Sequence, residues 1–450
     1  MNILLLWPPN PEYCLLTEEF SCCEPLGLEY IASNLLGENE VDIIDMRFNS
    51  DLMAFLSKKK YNIVGLCIPF STSINVTNKI LEKIHNYDPS IICIIGGNPP
   101  SVSLVGIHLE YVDYVIIGEG GFTFAELVKT LKQKKDVRDI KGIAIPSSST
   151  VHYTEKRPLE DLNTYPLPAR ELLKGYHSIY FHAHYKPVSL IRFSLGCPYN
   201  CSFCILWKMT NRKYLTRKNK NIIDEIITID NQNLYVVDDE AFINPPKMFK
   251  LAEELIHNRI CKQYHMYVRS DTVVNNPLLF DKWAEAGLDS VLVGLESINP
   301  KELDFYKKKI SLNIARQCVE ILHKNNIEIR ANFIIQPNYD IDDFKRVRDT
   351  VLELNIDRPT FAVLTPFIGT DVYDKLHNQF ITNKFDFFDC YHTFLPTKLS
   401  LQKFYKEFAD LFRIANSRDT SKSGNKIFYS GQGDSFGRFL KKIENSYLDY

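Results

Sequence analysis

Short apolar runs alternate with amphipathic segments over the first third of the chain, which is the pattern of an α/β fold. The apolar runs have strand length and lie at 3–7, 41–45, 62–68, 91–95, 114–118 and 142–145. Helical periodicity separates them, around 26–36, 74–86 and 121–132. We therefore predict a Rossmann-like domain with a parallel sheet over residues 1–146.

Turn-forming residues follow several of these predicted strands. They include Pro8 and Pro9, the Gly96-Gly97 pair and the run Gly118-Glu119-Gly120-Gly121. Ligands of open α/β sheets bind beyond the carboxyl ends of the strands. These turns therefore mark the expected binding edge of the first domain.

A second series of strands and helices begins near residue 187. Its apolar runs lie at 188–194, 234–239, 265–270, 289–297, 327–335 and 360–366, with helical periodicity at 248–258 and 277–287 among others. This series predicts a partial (β/α)6 TIM-like barrel over 187–375, with its chemistry at the carboxyl ends of the strands.

The remaining segments are predicted from their composition. Residues 147–186 are polar and contain prolines, as expected of a linker. Residues 376–450 are predicted as a small helical extension, with a cap at 381–416 and a weakly structured end, because SRDTSKSGN is rich in helix-breaking polar residues.

Composition and charge exclude several classes of protein. The chain is 45% hydrophobic and 24% charged, which is typical of globular proteins and argues against disorder or a coiled coil. A net charge of -2 offers no general attraction to nucleic acid, and no stretch reaches the about 20 apolar residues of a membrane span. The start MNILLLWPPN lacks the features of a signal peptide, so we expect a cytoplasmic protein without a nucleic-acid partner. The basic residues between Lys208 and Lys220 are interpreted as a solvated helix face rather than as a phosphate-binding patch.

Three of the eleven cysteines have the spacing of a ligand set, CxxxCxxC, in SLGCPYNCSFCILW: Cys197, Cys201 and Cys204. Three thiolates can bind three irons of a cubane cluster and leave the fourth iron open to a substrate. Zinc is the main inorganic alternative, because His177, His182 and His184 lie upstream and could complete a zinc set. Three buried thiols are a weaker alternative, since the intervening residues are polar and turn-like.

This motif, with Phe203 before its last cysteine, resembles the signature of radical S-adenosylmethionine (SAM) enzymes. The resemblance implies that the SAM amino and carboxylate groups bind the open iron of a 4Fe-4S cluster. It also assigns SAM contacts to strand-end residues, namely Asp238 and Asp239 for the ammonium, Arg269 for the carboxylate, Glu296 and Ser297 for the ribose, and TPFIGT (365–370) for the adenine. Each of these residues taken alone would more often be a helix cap or a surface charge.

The first domain resembles the cobalamin-binding domain that precedes the barrel in one group of radical SAM enzymes. The resemblance rests on PLGLEYIASNLL with VDIID, NIVGLCIPFST, IIGGNPPS and DYVIIGEGGFTFAEL, and it implies cobalamin contacts at Ser71, Thr72, Gly96, Gly97, Gly118, Glu119 and Gly120. The sequence departs from many cobalamin proteins because it lacks the DxHxxG loop, and its first histidine is His85. Cobalamin would then bind without a histidine ligand from the protein.

The resemblance implies a radical SAM enzyme that cleaves SAM reductively and methylates an unactivated carbon of a small-molecule or natural-product substrate. It also implies a flavodoxin or ferredoxin as electron donor. The alternatives are a radical SAM enzyme without cobalamin, a tRNA methylthiotransferase with a second cluster at Cys14, Cys22 and Cys23, and a non-enzymatic corrinoid carrier. The aromatic stretch FDFFDCYHTFLP (385–396) either lines a substrate pocket or belongs to the core, and its composition favours the core.

Overall fold

The chain divides into two compact units in a computed structural model that describes residues 1–11, 14–15, 21–417 and 435–450. The first unit comprises Met1–Cys14, Pro25–Tyr176 and Lys384–Phe388. The second comprises Leu15–Glu24, His177–Asn383 and Asp389–Tyr450. The segment predicted as a linker, 147–186, is thus divided between the two units.

The first unit contains one sheet. Its strands are β1 (Asn2–Trp7), β3 (Glu40–Asp45), β4 (Ile63–Cys67), β5 (Ile92–Gly96), β6 (Tyr114–Ile116), β7 (Ile143–Pro146) and β8 (Val151–Tyr153). Their order in the sheet is β3-β1-β4-β5-β6-β7-β8. The pairs from β3 to β6 are parallel, as predicted, but β7 pairs antiparallel with β6 and with β8. β7 and β8 form a hairpin at the edge of the sheet beyond β6, in which the backbone N–H of Ser147 donates to Thr150 O at 2.8 Å.

Both faces of this sheet are buried, which explains why its central strands are continuous apolar runs. Along β1, Leu4 and Leu6 belong to one apolar cluster, whereas Ile3 and Leu5 belong to another. The helices of the first unit are Leu26–Leu35, Leu52–Lys58, Ile74–Tyr87, Asn98–Val102 and Gly120–Lys132.

The second unit is built on a parallel sheet with the strand order of a partial barrel. Its strands are β10 (Val188–Ile191), β13 (Asn233–Val236), β14 (Gln263–Val268), β15 (Leu288–Glu296), β16 (Glu328–Ile335) and β17 (Arg358–Val363), neighbours in that order. Two short antiparallel pairs accompany the sheet, β2 (Ser21–Cys22) with β9 (Phe181–His182) and β11 (Ser194–Leu195) with β12 (Leu215–Thr216). The predicted α/β fold class is confirmed.

Helices separate the strands of the second unit and follow them to the end of the chain. They are Leu206–Met209, Asn219–Thr228, Pro245–His257, Ser270–Asn275, Pro277–Ala286, Pro300–Phe305, Leu312–Lys324, Ile341–Glu353, Asp371–Leu376, Leu401–Ser417 and Ser435–Asn445. In the part of the chain that the structure describes, no helix is both long enough and apolar enough to cross a membrane.

The last helix differs from the expected weakly structured end. Phe436, Phe439, Leu440 and Ile443 recur at helical spacing, and Phe439 and Ile443 are buried in the core of the second unit. Most of the polar stretch SRDTSKSGN lies outside the described residues. The prediction was therefore wrong for Ser435–Asn445, where an apolar helical face was overlooked.

Candidate active site

The three motif cysteines lie in a loop that leaves the carboxyl end of β10. Gly196 precedes Cys197 at a φ of +89°, and a Cβ added there would lie 2.1 Å from the backbone O of Lys213. Only glycine fits this close approach, which brings the two ends of the loop together beside the pair β11-β12. The loop is therefore closed at its base.

Ser202 anchors the middle of the cysteine loop. Its backbone N–H donates to Tyr306 O at 3.0 Å, and its Oγ donates to Phe305 O at 2.7 Å. The backbone N–H of Val372 donates to Ser202 O at 3.1 Å. These bonds hold the buried Ser202, while the flanking thiols of Cys201 and Cys204 stay available as ligands.

The thiols fit an iron-sulfur cluster better than a single ion. All three are partly buried, and burial raises the pKa of Cys197 to about 11 and that of Cys204 to about 12. A tetrahedral zinc ion would hold its thiolates about 3.8 Å apart. Among the described residues, the three Sγ atoms do not all lie within 4.8 Å of one another. Wider spacing suits a cubane, in which each thiolate binds a different iron.

The histidines of the zinc alternative lie elsewhere in the second unit. His182 Nε2 accepts from Arg330 at 2.7 Å, and the His182 ring stacks on Tyr235 at 4.3 Å. The His184 ring packs against Tyr185. Because Tyr185 precedes β10 and Arg330 lies near the start of β16, these contacts are towards the amino ends of the strands. The cysteine loop lies beyond their carboxyl ends, so the structure does not support a zinc set.

The cysteines that the alternative of a second cluster requires, Cys14, Cys22 and Cys23, do not form a ligand set. Cys22 is buried in β2, and Cys23 Sγ donates to Phe181 O at 3.6 Å. Cys14 belongs to the first unit. Within the described ranges, these thiols form no group of three ligand atoms within 4.8 Å.

Arg269 lies beside the cysteine loop. Its guanidinium is 3.9 Å from the centroid of the Tyr199 ring and makes two bonds to Asp271, at 2.9 and 2.8 Å. The guanidinium of Arg269 is thus fixed in orientation, as bidentate recognition of a carboxylate requires. The contact of Arg269 with a SAM carboxylate stays a prediction.

The acidic run after β13 contains a residue that the sequence interpretation missed. Asp238 accepts from Phe193 N at 2.8 Å and from Ser194 Oγ, so its carboxylate supports the start of the cysteine loop. Asp239 is partly buried, and its charge contributes to the raised pKa of Cys197. Glu240 is 3% exposed, and its Oε1 has no hydrogen-bond partner in the structure as described. Burial raises the Glu240 pKa to about 8. The only signal in the sequence was that DDE is a run of three acids.

Glu296 ends β15 in a strained conformation. Its φ is +64°, and its carboxylate pairs with Lys308 at 2.7 Å, with both side chains buried. Gly294 makes room for this pair, because an added Cβ would lie 2.3 Å from Glu296 Oε1. Lys308 was not predicted, since it is one of three successive lysines. Ser297 Oγ donates to Glu302 and accepts from Asn299 N at 2.9 Å, so Ser297 shapes the turn after the strand.

The basic residues near the loop make internal contacts. Lys208 Nζ donates to Gly369 O at 2.8 Å, within TPFIGT, and pairs with Asp371 at 2.7 Å. Arg217 is buried and pairs with Glu225 at 2.6 Å. These residues stabilise the loop region instead of forming a phosphate-binding patch.

The predicted cobalamin residues share one edge of the first sheet. Ser71 and Thr72 follow β4, the Gly96-Gly97 pair ends β5, and 118–120 follow β6, and these three strands are neighbours in the sheet. Gly97 has a φ of +120°, and a Cβ there would lie 2.2 Å from Ile68 O. Ser101 Oγ joins two of the turns, donating to Gly97 O at 2.7 Å and accepting from Gly118 N at 2.9 Å.

This edge fits a bulky polar-edged ligand such as a corrinoid. Gly118 is exposed, at a φ of +87°, and nothing lies within 4 Å of an added Cβ. Ser71 provides a hydroxyl group there and Glu119 a carboxylate, whereas Thr72 is buried. His85 lies instead in the helix Ile74–Tyr87, with its ring against Tyr111. The turns at 71–72, 96–97 and 118–120 themselves contain no histidine.

Comparison with known proteins identifies both domains. Residues 191–351 match the Radical SAM superfamily, and residues 14–128 match the B12 binding domain. Hopanoid C-3 methylase of Methylococcus capsulatus is 27% identical over 431 residues, which cover 92% of this chain and 82% of the methylase. Anaerobic magnesium-protoporphyrin IX monomethyl ester cyclase of Rubrivivax gelatinosus is 26% identical over 381 residues, covering 81% of this chain and 68% of the cyclase.

A solved structure has a similar fold. The radical SAM methyltransferase TsrM from Kitasatospora setae has a TM-score of 0.74 at 14% sequence identity, covering 100% of this chain and 98% of TsrM. The two family matches confirm the predicted cofactors, namely a 4Fe-4S cluster with SAM, and cobalamin. The chain is therefore a radical SAM enzyme that carries a B12-binding domain ahead of its radical SAM domain.

Proposed function

We propose that this enzyme is a cobalamin-dependent C-methyltransferase, which methylates an unactivated carbon of a small-molecule or natural-product substrate. The observation that carries the proposal is the pairing of two features in one chain. One is the anchored three-cysteine loop in the second unit, and the other is the open glycine-rich edge of the first unit. The names of relatives, methylase and methyltransferase, support the same reaction class.

The residues of this chain bind and orient the reactants. When bound, the cluster and SAM supply a 5'-deoxyadenosyl radical, and cobalamin supplies a transferable methyl group. We assign Cys197, Cys201 and Cys204 to the cluster. Asp239, Glu240 and Arg269 would hold SAM, with Arg269 fixed in orientation by Asp271. Asp238, Ser202 and Ser297 act as supports, since their side chains are already bonded within the protein.

The reductant and the substrate belong to the same proposal. A flavodoxin or ferredoxin would deliver the electron that starts SAM cleavage. The aromatic stretch 385–396 includes Phe387, Phe394 and other buried side chains, so most of it serves as core. The substrate is therefore better sought by product analysis than by the composition of this stretch.

Product mass tests the proposed reaction. The holoenzyme, reduced without oxygen, is incubated with SAM carrying a trideuterated methyl group and an extract from the host. A product heavier than its precursor by a trideuterated methyl group, formed together with 5'-deoxyadenosine, supports methyl transfer. A product of unchanged carbon count would instead favour ring formation, the reaction named for the cyclase relative. If SAM is not cleaved at all, the result would favour the alternative of a non-enzymatic corrinoid carrier.

Glu240→Gln should weaken SAM binding without loss of the cluster. The variant keeps the shape of the side chain but cannot ionise, whereas the buried Glu240 carboxyl, whose pKa burial raises to about 8, would give up its proton on pairing with an ammonium group. We expect the Kd for SAM to rise about tenfold to a hundredfold, since a buried charged hydrogen bond contributes about 1.5 to 3 kcal/mol. Equilibrium dialysis measures the Kd, and iron analysis checks the cluster.

Asp224→Asn is the matched control for Glu240→Gln. Asp224 is partly exposed and pairs with Lys220 at 2.5 Å on a helix surface. The Asp224→Asn variant should bind SAM with the Kd of the wild type. A wild-type Kd in the Glu240 variant would remove Glu240 from the proposed site.

A further inference from the structure

A five-residue segment, Lys384–Phe388, belongs to the first unit although it follows the barrel in sequence. Its neighbours Asn383 and Asp389 belong to the second unit. We call this segment the strap. It contains a 3-10 turn, Phe385–Phe387, that packs against the turn Ser71–Ser73 and against the helix Ile74–Tyr87.

The strap is held by a hydrogen bond and by a glycine. Asn75 Nδ2, in the first turn of the helix, donates to Asp386 Oδ2 at 3.1 Å. Phe385 packs against Gly106, where a Cβ would lie 2.3 Å from the Phe385 ring. Gly106 also has a φ of +82°, so both its backbone and its neighbour require glycine. The surroundings are therefore built to accept an aromatic ring at position 385.

Asn78 extends this contact to the same loop. Its Nδ2 donates to Gly106 O at 2.7 Å, and its Oδ1 accepts from His108 N at 3.0 Å. Asn75 and Asn78 are three residues apart and thus lie on one face of the helix. That face binds the strap through Asn75 and the loop around Gly106 through Asn78.

Both elements that contact the strap begin at the proposed cobalamin edge. The turn Ser71–Ser73 contains Ser71 and the buried Thr72. The loop around Gly106 follows the short helix Asn98–Val102, which starts after Gly97 and contains Ser101. A displacement of the strap would therefore release the helix start and the loop that position these residues.

We propose that the strap is a positioning element of the cobalamin site, in which Phe385 and Asp386 hold the turn after β4 in its binding conformation. This inference rests on the proposed function, because it assumes that cobalamin binds at this edge. Neither side chain is assigned a contact with the corrinoid. Their contribution is to reduce the cost of ordering the turn when the cofactor binds.

Two variants of the full-length protein test the strap. Phe385→Ala removes the ring beside Gly106, and Asp386→Ala removes the acceptor of the Asn75 bond. The probe is hydroxocobalamin, and its Kd is measured from the change in the corrin absorption spectrum. We expect about a tenfold weaker Kd in each variant, with unchanged iron content.

Phe55→Ala is the matched control. Phe55 packs against the same apolar cluster as Phe385, but from the helix Leu52–Lys58. The Phe55→Ala variant should bind hydroxocobalamin with the Kd of the wild type. Unchanged affinity in both strap variants, or an equal loss in Phe55→Ala, would overturn the inference and leave the proposed function intact. A wild-type protein that binds no hydroxocobalamin would instead overturn the proposed function, and the strap proposal with it.

Discussion

Replacement of Cys197, Cys201 and Cys204 by alanine should reduce 5'-deoxyadenosine formation to the background of an enzyme-free mixture. The three thiols sit in a loop closed at Gly196 and anchored at Ser202, so their removal takes away ligands and leaves the scaffold. Iron content should fall from about four atoms per chain to none. Both quantities are measured on protein purified and reconstituted without oxygen.

Cys261→Ala provides the control for this experiment. Cys261 is exposed, lies in the same unit and contacts only the backbone O of Arg259 among the bonds described, at 3.7 Å. It should keep full iron content and activity. Retained SAM cleavage in the triple variant would contradict the assignment of the three cysteines to the cluster. A count of about eight irons per chain in the wild type would instead support the alternative with a second cluster.

The strands and their order along the chain were predictable because each is a buried apolar run bounded by turn residues. The run at 188–194 was predicted only in part. The strand β10 ends at Ile191, and Ser194 already belongs to the short strand β11. The chain bends between them, where the Asp238 carboxylate accepts hydrogen bonds from Phe193 N and Ser194 Oγ. Hydropathy does not show this bend, because the residues on both sides of it are buried.

The three cysteines were predictable because their spacing alone carries the chemistry. Their surroundings were not, since burial decides which of several similar residues faces the site. Lys308 turns inward to Glu296, whereas its neighbour Lys307 pairs with Asp371 at the surface. Glu240 is buried, and Asp239 beside it is only partly so. Side-chain direction in such runs depends on tertiary packing, which a charge pattern does not specify.

The strap was also beyond prediction. FDFFDCYHTFLP reads as one aromatic stretch, yet Phe385 belongs to the first unit and His392 to the second. His392 is buried, and its two ring nitrogens bond Asp389 at 2.9 Å and Asp449 at 3.1 Å. An imidazole between two carboxylates needs both of its protons, and these contacts raise the His392 pKa against the opposing effect of burial. The pairing with Asp449, which is 57 residues away in sequence, leaves no local signature.

The second unit should lose stability in mild acid because of two other histidines, His182 and His265. Burial is the main cause that lowers the pKa of each well below its usual value, and the charge of Arg330 acts in the same direction. Both rings are therefore neutral in the folded protein and take up protons when it unfolds. A histidine with a lowered pKa contributes stability above pH 6.5 that is lost as the pH falls.

The expected size follows from this proton uptake. Two histidines that protonate only on unfolding cost about 2.7 kcal/mol per pH unit below pH 6.5. His392 has the opposite sign, because its raised pKa gives stability that is lost as the pH rises above 6.5. Below that pH it is protonated in both states and adds no slope. Other buried groups titrate in wild type and variants alike and cancel in the comparison, among them Glu240 and also His184, whose pKa burial lowers to about 3.

His182→Gln combined with His265→Gln isolates the effect. Glutamine keeps an acceptor for Arg330 but cannot be protonated, so the double variant should be less stable at pH 7.5 and yet lose less stability between pH 6.5 and 5. Urea midpoints followed by circular dichroism measure both trends. His257→Gln, at an exposed helix end, should retain the wild-type dependence. Parallel midpoint curves for the wild type and the double variant would show that the two rings are already charged in the folded protein, contrary to an acceptor role for His182 towards Arg330.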